Sequence, residues 1–138
     1  MKNKVFIVED NPVQQKILQV HFEEILGNYV VSTFSDPEDL FKHLKEKPFA
    51  VVLDHFFDKD KSRTGVYYLT EMKKHYPSVP VIYYTTLNDD VVREKVMHLG
   101  AEQYIVKDSA SLVRLRAALD VLHVNKSKKS LLKKIFNR

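Results

Sequence analysis

The stretch Phe49-Ala50-Val51-Val52-Leu53-Asp54 joins five apolar residues to a single carboxylate at their end. A run that is apolar on both faces predicts a strand buried inside a parallel sheet, because helices cover both sides of such a sheet. The polar segment after Asp54 extends to Gly65 and predicts a long loop, and helical spacing resumes at Val66. A buried strand, a loop and a helix together form the repeating unit of α/β proteins.

Four further apolar runs show the same pattern, and each is followed by a segment of helical period. They are residues 5–8, 29–34, 81–84 and 103–106. This alternation predicts an α/β fold of the (βα)5 type, a doubly wound parallel five-stranded sheet that is flavodoxin-like, with strand order 2-1-3-4-5. We expect the last helix to run from about residue 109 to about residue 124.

The first helix has clear sequence signals at both ends. Asn11 is the expected N-cap, Pro12 the first helical residue and Gly27 the stop. Helical spacing predicts that four apolar residues face the core: Val13, Ile17, Val20 and Ile25.

Length and composition exclude several classes of protein. The 138 residues fit one compact domain, and the absence of cysteine excludes disulfides, thiol catalysis and cysteine-ligated metal centres. No apolar run approaches the roughly 20 residues that a membrane-spanning helix needs. No signal-peptide cleavage site follows the N-terminus, so we expect a cytoplasmic protein.

The formal net charge of +4 is concentrated at the C-terminus. Residues 125–138 hold six of the 22 basic residues and no acidic one, which leaves 16 basic against 18 acidic residues in 1–124. We therefore predict a mildly acidic domain over residues 1–124 and a basic tail, or the start of a linker, over 125–138. The tail also has the spacing of a short basic amphipathic helix, but a solvated end or linker is the simpler interpretation. Its partner is unknown, and we expect no nucleic-acid binding by the domain itself.

Polar side chains gather at the carboxyl ends of four predicted strands, where parallel sheets bind ligands. Strand one ends in Glu9-Asp10, strand three in Asp54, strand four in Thr85 and strand five in Lys107. Each residue alone is explained by a turn, a helix cap or a solvated end. Their coincidence at one end of four adjacent strands instead predicts a functional cleft.

With these motifs, residues 3–124 resemble the receiver domain of two-component response regulators. The resemblance implies that Asp54 accepts a phosphoryl group from a sensor histidine kinase or a phosphotransfer protein. It implies that Glu9, Asp10 and Asp54 hold Mg²⁺ together with the backbone carbonyl of Phe56, since this ion prefers oxygen ligands. It also implies that the only catalysis is the chain's own phosphorylation and dephosphorylation.

The same resemblance assigns a switch and a face through which it acts. Thr85 and Lys107 respond to the phosphoryl group, and Tyr104 is the aromatic switch residue. A new phosphoryl group is expected to draw Thr85 and Lys107 inward, so that Tyr104 fills the vacated space. Partner binding then changes through helix four, strand five and helix five, and receivers of similar pattern often form homodimers through this face on phosphorylation.

Several positions depart from the family pattern. Asp108 stands where Pro is common after the strand-five lysine, Thr86 replaces a smaller residue, and the loop after strand three is longer than usual. Phe56 and Leu87 occupy the two positions that flank the approach of water to the phosphoryl group. Neither side chain can orient water, so we expect slow loss of the phosphoryl group.

Three other functions compete with this interpretation. A flavodoxin-like cofactor carrier would need a phosphate-binding loop rich in Gly, Ser or Thr after strand one, where the acidic segment 9–12 would repel phosphate unless a metal intervened. A receiver fold that does not accept phosphate would act as a constitutive docking module. An aspartyl-nucleophile phosphatase would need a second acidic residue two positions after Asp54, where the chain has Phe56. Mg²⁺-dependent labelling by a small phosphodonor separates the docking module from the receiver.

The six histidines give no sign of a metal site. They are His21, His43, His55, His75, His98 and His123, and no two have paired metal-ligand spacing. We expect them at the surface or its boundary, with His55 alone beside the cleft.

Overall fold

Five parallel strands and five α-helices build the fold, which we describe from a computed structural model over residues 2–137. The strands are β1 (Asn3–Val8), β2 (Tyr29–Phe34), β3 (Ala50–Leu53), β4 (Val81–Thr85) and β5 (Gln103–Val106). The helices are α1 (Pro12–Val20), α2 (Pro37–Phe41), α3 (Gly65–His75), α4 (Asp90–His98) and α5 (Ser111–Phe136). A π-helical stretch (His21–Leu26) continues α1, and a single 3-10 turn (Leu44–Glu46) follows α2.

The strands form one sheet in the order β2-β1-β3-β4-β5, and each neighbouring pair is parallel. This confirms the predicted fold class and strand order. Successive residues of a strand point to opposite faces, so the sheet supports two cores. On β1, Phe6 and Val8 pack with α2, α3 and α4, whereas Val5 and Ile7 pack with α1 and α5.

The first helix begins as predicted but buries a different face. Asn11 caps its N-terminus with side-chain hydrogen bonds, and Gly27 ends the helical segment in the left-handed region at φ 79°. Three of the four residues predicted to face the core are exposed: Val13, Ile17 and Ile25. The predicted inner face was wrong, because Leu18 and Phe22 are the buried apolar residues. Leu18 and Phe22 are four residues apart, as are Val13 and Ile17, so helical spacing alone fits either apolar side, and the sheet covers Leu18 and Phe22.

The last helix continues to Phe136, so the predicted end near Val124 was wrong. The chain contains neither Gly nor Pro after Gly100, and nothing in the local sequence stops the helix. Leu122 is the last buried residue of α5, and the helix beyond Val124 is exposed. That residues 125–138 form a tail or linker distinct from the domain stays a prediction.

Two histidines are buried, which contradicts their predicted place at the surface or boundary. His21 lies in the π-helical stretch and meets Phe22 edge-on, with ring centroids 6.0 Å apart. Burial lowers the pKa of His21, and its Nε2 is the one buried side-chain nitrogen or oxygen within residues 2–137 that lacks a hydrogen-bond partner. The second, His55, belongs to the functional site.

The long loop returns to the sheet where α3 begins. Gly65 N donates a hydrogen bond to the carbonyl of His55 at 2.9 Å. A Cβ atom on Gly65 would collide with the carbonyl oxygen of Asp54 and lie 2.5 Å from the hydroxyl of Tyr83. This close approach requires glycine and fixes the backbone just after β3.

Gly65→Ala is expected to destabilise the domain by about 1–3 kcal/mol, as overpacking of a tight site does. Urea unfolding measures this loss. Gly27→Ala is the comparison, because its Cβ would meet nothing within 4 Å and its cost is backbone strain alone, about 1 kcal/mol. A cost for Gly65→Ala no larger than that for Gly27→Ala would contradict the crowding.

Candidate functional site

The sheet register places two of the predicted carboxylates side by side. Glu9 and Asp54 directly follow β1 and β3, which are paired up to their last residues. The N–H of Asp54 donates to the carbonyl of Val8 at 3.2 Å. Thr85 ends β4, and its carbonyl accepts a hydrogen bond from the N–H of Lys107 at 2.8 Å. The predicted strand ends therefore meet at one edge of the sheet.

The Lys107 ammonium lies between the two buried carboxylates. Its Nζ is 3.1 Å from Glu9 Oε2 and 3.1 Å from Asp54 Oδ2. The side chains of Lys107, Glu9 and Asp54 are only 11%, 5% and 9% exposed. Removing charges from water is costly, so such a group persists only where its members satisfy one another. Three distant parts of the chain are thus joined by one charge cluster.

The two carboxyl groups differ in their affinity for protons. Burial, a hydrogen bond with Asp54 and repulsion by its charge raise the pKa of Glu9 to about 8. Burial also acts to raise the pKa of Asp54, but hydrogen bonds with Glu9, Lys107 and the His55 N–H, with the attraction of Lys107, hold it below its usual value. Glu9 is therefore the member of the pair that holds a proton more tightly, and Asp54 is the one that ionises first.

Asp10 takes a different place from its neighbour Glu9. It is half-buried, and its Oδ2 accepts a hydrogen bond from the N–H of Asp58 at 2.7 Å. This contact ties the long loop to the end of β1. Within the part of the chain that the structure describes, no three His, Asp or Glu side chains converge as ready ligands of one metal ion. The predicted metal role of Glu9, Asp10 and Asp54 stays a prediction.

The predicted switch residues are linked through the backbone of Leu87. Thr85 is fully buried, and its Oγ1 accepts a hydrogen bond from Leu87 N at 3.2 Å. The Leu87 carbonyl in turn accepts one from the hydroxyl of Tyr104. Tyr104 is 9% exposed, and its ring stacks on Tyr83 with centroids 5.4 Å apart. Tyr104 already lies inside the domain in this structure.

His55 is a neighbour of the site whose burial the sequence did not reveal. Its N–H donates to Asp54 Oδ1 at 2.6 Å, and its Nδ1 is hydrogen-bonded to the Tyr83 hydroxyl at 2.5 Å. Burial lowers the pKa of the His55 ring despite the nearby charge of Asp54. The tyrosines at the end of β4 were the available signal for this burial, since a tyrosine there can cover the His55 ring. Contacts therefore run from Asp54 through His55 and Tyr83 to Tyr104.

The residues predicted to control phosphate lifetime lie at the edge of the site. Phe56 is 50% exposed, with its ring edge-on to His55 at a centroid distance of 4.8 Å. Leu87 is half-buried, and Thr86 is exposed. The roles of these side chains, and of the Phe56 carbonyl as a metal ligand, stay predictions.

Comparison with known proteins places the chain beside one family. Residues 5–120 match the family model of the response regulator receiver domain. The probable C4-dicarboxylate response regulator DctR of Halalkalibacterium halodurans is 27% identical over 117 residues, which cover 84% of this chain and 49% of that protein. The probable transcriptional regulator ycf27 of Guillardia theta is 33% identical over 121 residues, covering 86% of this chain and 46% of that protein. The solved structure of the BeF3-activated DrrB receiver domain is 28% identical with a TM-score of 0.68, covering 87% of this chain and 99% of that one.

The chain spans about half the length of the curated relatives it matches. The similarity to those regulators is therefore to one part of each. The similarity to the solved receiver extends over nearly all of that shorter chain. Among residues 2–137, no helix is both long enough and apolar enough to cross a bilayer.

Glu9→Gln is expected to remove a loss of stability with rising pH in the metal-free protein. A carboxyl whose pKa rises from 4.5 to about 8 on folding binds its proton more tightly in the folded state. Its contribution to stability therefore falls as pH rises through that window, by at most about 1.4 kcal/mol per pH unit. Urea unfolding in EDTA between these pH values measures the slope.

The matched control is Glu24→Gln, which removes an exposed glutamate far from the cluster. It should keep the wild-type slope. A Glu9→Gln protein with the same slope as wild type would contradict the raised pKa of Glu9.

Proposed function

The chain belongs to the response regulator receiver domain family, and from this premise we propose that Asp54 is its phosphoacceptor. Receiver domains are phosphorylation-switched signalling modules of two-component systems, and they interact with histidine kinases or phosphotransfer proteins. In general they are not enzymes that act on external substrates. The observation that carries the proposal is the buried, ionised Asp54 carboxylate 3.1 Å from the Lys107 ammonium.

Phosphoryl transfer to Asp54 needs an ionised oxygen nucleophile and positive charge for the phosphoryl oxygens. The lowered pKa of Asp54 supports the first requirement, so no general base is needed. An Asp54 carboxylate oxygen forms a bond to phosphorus as the phosphorus–nitrogen bond of a phosphohistidine donor breaks, and the electron pair leaves with the imidazole. Lys107 supplies positive charge beside the carboxylate. Thr85 Oγ1 accepts from Leu87 N and so retains its own proton to donate.

We propose that Mg²⁺ completes the charge balance. Glu9 and Asp54 place carboxylate oxygens side by side, Asp10 follows the same strand as Glu9, and Mg²⁺ prefers such donors. The raised pKa of Glu9 shows that the site has too little positive charge to keep both carboxyl groups ionised. A divalent cation would supply that charge. Asp10 and Asp54 would hold the ion directly, Glu9 through water and Phe56 through its carbonyl. When bound, the ion neutralises charge on the phosphoryl oxygens.

The segment 85–87 is the proposed route from the site to the surface. If the Thr85 hydroxyl turns to a phosphoryl oxygen, it changes its contact with Leu87, whose carbonyl binds Tyr104. In the unphosphorylated structure Lys107 is hydrogen-bonded to the Asp54 carboxylate. Phosphorylation of Asp54 would change this partner at the same time. The result is a population shift between two packings of β5 with α4 and α5. Partner binding, including pairing with a second phosphorylated copy, would follow through that face.

Phosphorylation of Asp54 is testable with a small donor. Acetyl phosphate or phosphoramidate with Mg²⁺ should add one phosphoryl group, detected by intact-mass spectrometry. Asp54→Asn should abolish the addition, because an amide is not a nucleophile toward phosphorus. Asp58→Asn is the control, since it alters an exposed carboxylate four residues further along and should label like wild type.

Equal labelling of wild type and Asp54→Asn would refute the assignment. A wild-type protein that takes no label with Mg²⁺ would instead favour the constitutive docking module.

The lifetime of the phosphoryl group is the second test. Phe56→Asn combined with Leu87→Glu should hasten its loss roughly tenfold or more, because polar side chains can then position the attacking water. Decay is followed by intact mass after removal of the donor. Ile25→Glu combined with Val124→Asn makes the same kind of change at exposed apolar positions elsewhere and should leave the rate unchanged. A Phe56/Leu87 double variant that decays no faster than wild type would contradict the shielding.

A further inference from the structure

The C-terminal part of α5, residues 125–136, forms an exposed segment that we call the tail helix. Four large apolar side chains of the tail helix are 59%, 52%, 54% and 79% exposed: Leu131, Leu132, Ile135 and Phe136. At 3.6 residues per turn they share one side of the helix. Lys126, Lys133 and Lys134 lie on the opposite side. The tail helix is therefore amphipathic, and its apolar side is in contact with solvent.

The basic charge of the tail helix continues onto the neighbouring end of the sheet. An open cleft of about 780 Å³ lies at the amino ends of the strands, opposite the edge that holds Asp54. It is lined by lysines of the domain and of α5: Lys2, Lys4, Lys47, Lys126, Lys128 and Lys129. Glu102 also lines it, and Lys4 is paired with Glu46 at 2.6 Å. Lysines thus outnumber acids at this end of a domain that is mildly acidic as a whole.

We propose that the tail helix binds the surface of an anionic lipid membrane. A basic helix with a solvent-exposed apolar side can lie in the headgroup region, where the apolar side chains enter the acyl boundary and the lysines meet lipid phosphates. Lysine clusters on such helices are attracted to anionic lipids by roughly 1 kcal/mol for each lysine near the surface, a factor of about five in binding. Lys128 lies on the apolar side itself, one turn before Leu131 and Leu132, and Lys129 borders that side; their long stems can reach the headgroups.

Charge distinguishes this occupant from two others. A second copy of the chain would cover the apolar side, but it would bring together two segments that each carry six basic and no acidic residues over 125–138. A nucleic acid would neutralise the lysines but leave Leu131, Leu132, Ile135 and Phe136 in water. An anionic lipid surface satisfies both sides of the helix at once.

Membrane binding should be independent of phosphorylation at Asp54. Asp54 lies at the carboxyl edge of the sheet, whereas the lysine-lined cleft lies at the amino edge. Asp54→Asn should therefore bind lipid like wild type. Failure of either proposal can be recognised without reference to the other.

Vesicle co-sedimentation of the full chain tests the proposal. The protein should bind vesicles containing about one-third phosphatidylserine and not vesicles of phosphatidylcholine alone, because the attraction is to anionic headgroups. Lys133→Ser with Lys134→Ser should weaken binding roughly 20- to 30-fold. Leu131→Ser with Ile135→Ser should weaken it at least about tenfold by removing apolar insertion.

Matched controls change the same residue types elsewhere on the exposed surface. Ile25→Ser with Val13→Ser removes two exposed apolar side chains, and Lys16→Ser with Lys74→Ser removes two exposed lysines. Both should bind like wild type. Circular dichroism verifies that every variant keeps its helices.

Four results would overturn the proposal. The first is absence of binding to anionic vesicles, and the second is equal binding to both vesicle types. The third is vesicle binding that Leu131→Ser with Ile135→Ser does not weaken. The fourth is a protein that does not bind vesicles but forms a dimer in sedimentation velocity, which the same two substitutions dissociate. Tight binding to duplex DNA that depends on Lys133 and Lys134 but not on Leu131 and Ile135, without vesicle binding, would assign the surface to nucleic acid instead.

Discussion

Two buried carboxyl groups that share one lysine ammonium set the constraint on which the rest of the site depends. Glu9 is 98 residues from Lys107 along the chain and Asp54 is 53 residues from it, so only the common edge of a parallel sheet brings the three together. β4 lies between β5 and β3, and Lys107 must reach across its end. On its way the Lys107 Nζ lies 5.4 Å from the centroid of the Tyr84 ring of β4. The strand order and the length of the lysine side chain together produce the charge cluster.

The sheet separates two kinds of chemistry. Its carboxyl edge holds the acidic cluster, and its amino edge holds lysines that are continuous with the tail helix. Strands of four to six residues separate these edges by roughly 13–20 Å. The two groups of charges are therefore not in contact. Contacts through Leu87 and Tyr104 connect the acidic edge to α4 and β5 instead.

The sequence predicted the strands, their order and the residues at the carboxyl edge, because long apolar runs end abruptly in polar residues. It could not predict that Glu9 holds a proton, since that depends on burial and on the distance to Asp54. It missed the burial of His55, whose partner Tyr83 is 28 residues away. The predicted inner face of α1 was wrong because Val13 and Ile17 have the same helical spacing as Leu18 and Phe22, and spacing alone does not say which pair faces the sheet. The predicted length of α5 was wrong because a polar, lysine-rich segment is compatible with both a helix and a linker.

In the metal-free site Glu9 is the group that holds the last proton of the Glu9–Asp54 pair, and the proposed Mg²⁺ should displace it. Calorimetric titration with Mg²⁺ at pH 7, in two buffers of different ionisation enthalpy, counts the protons released on binding. With the pKa of Glu9 near 8, we predict release of about one proton for each ion bound. Binding with no proton release, or no binding at all, would contradict it.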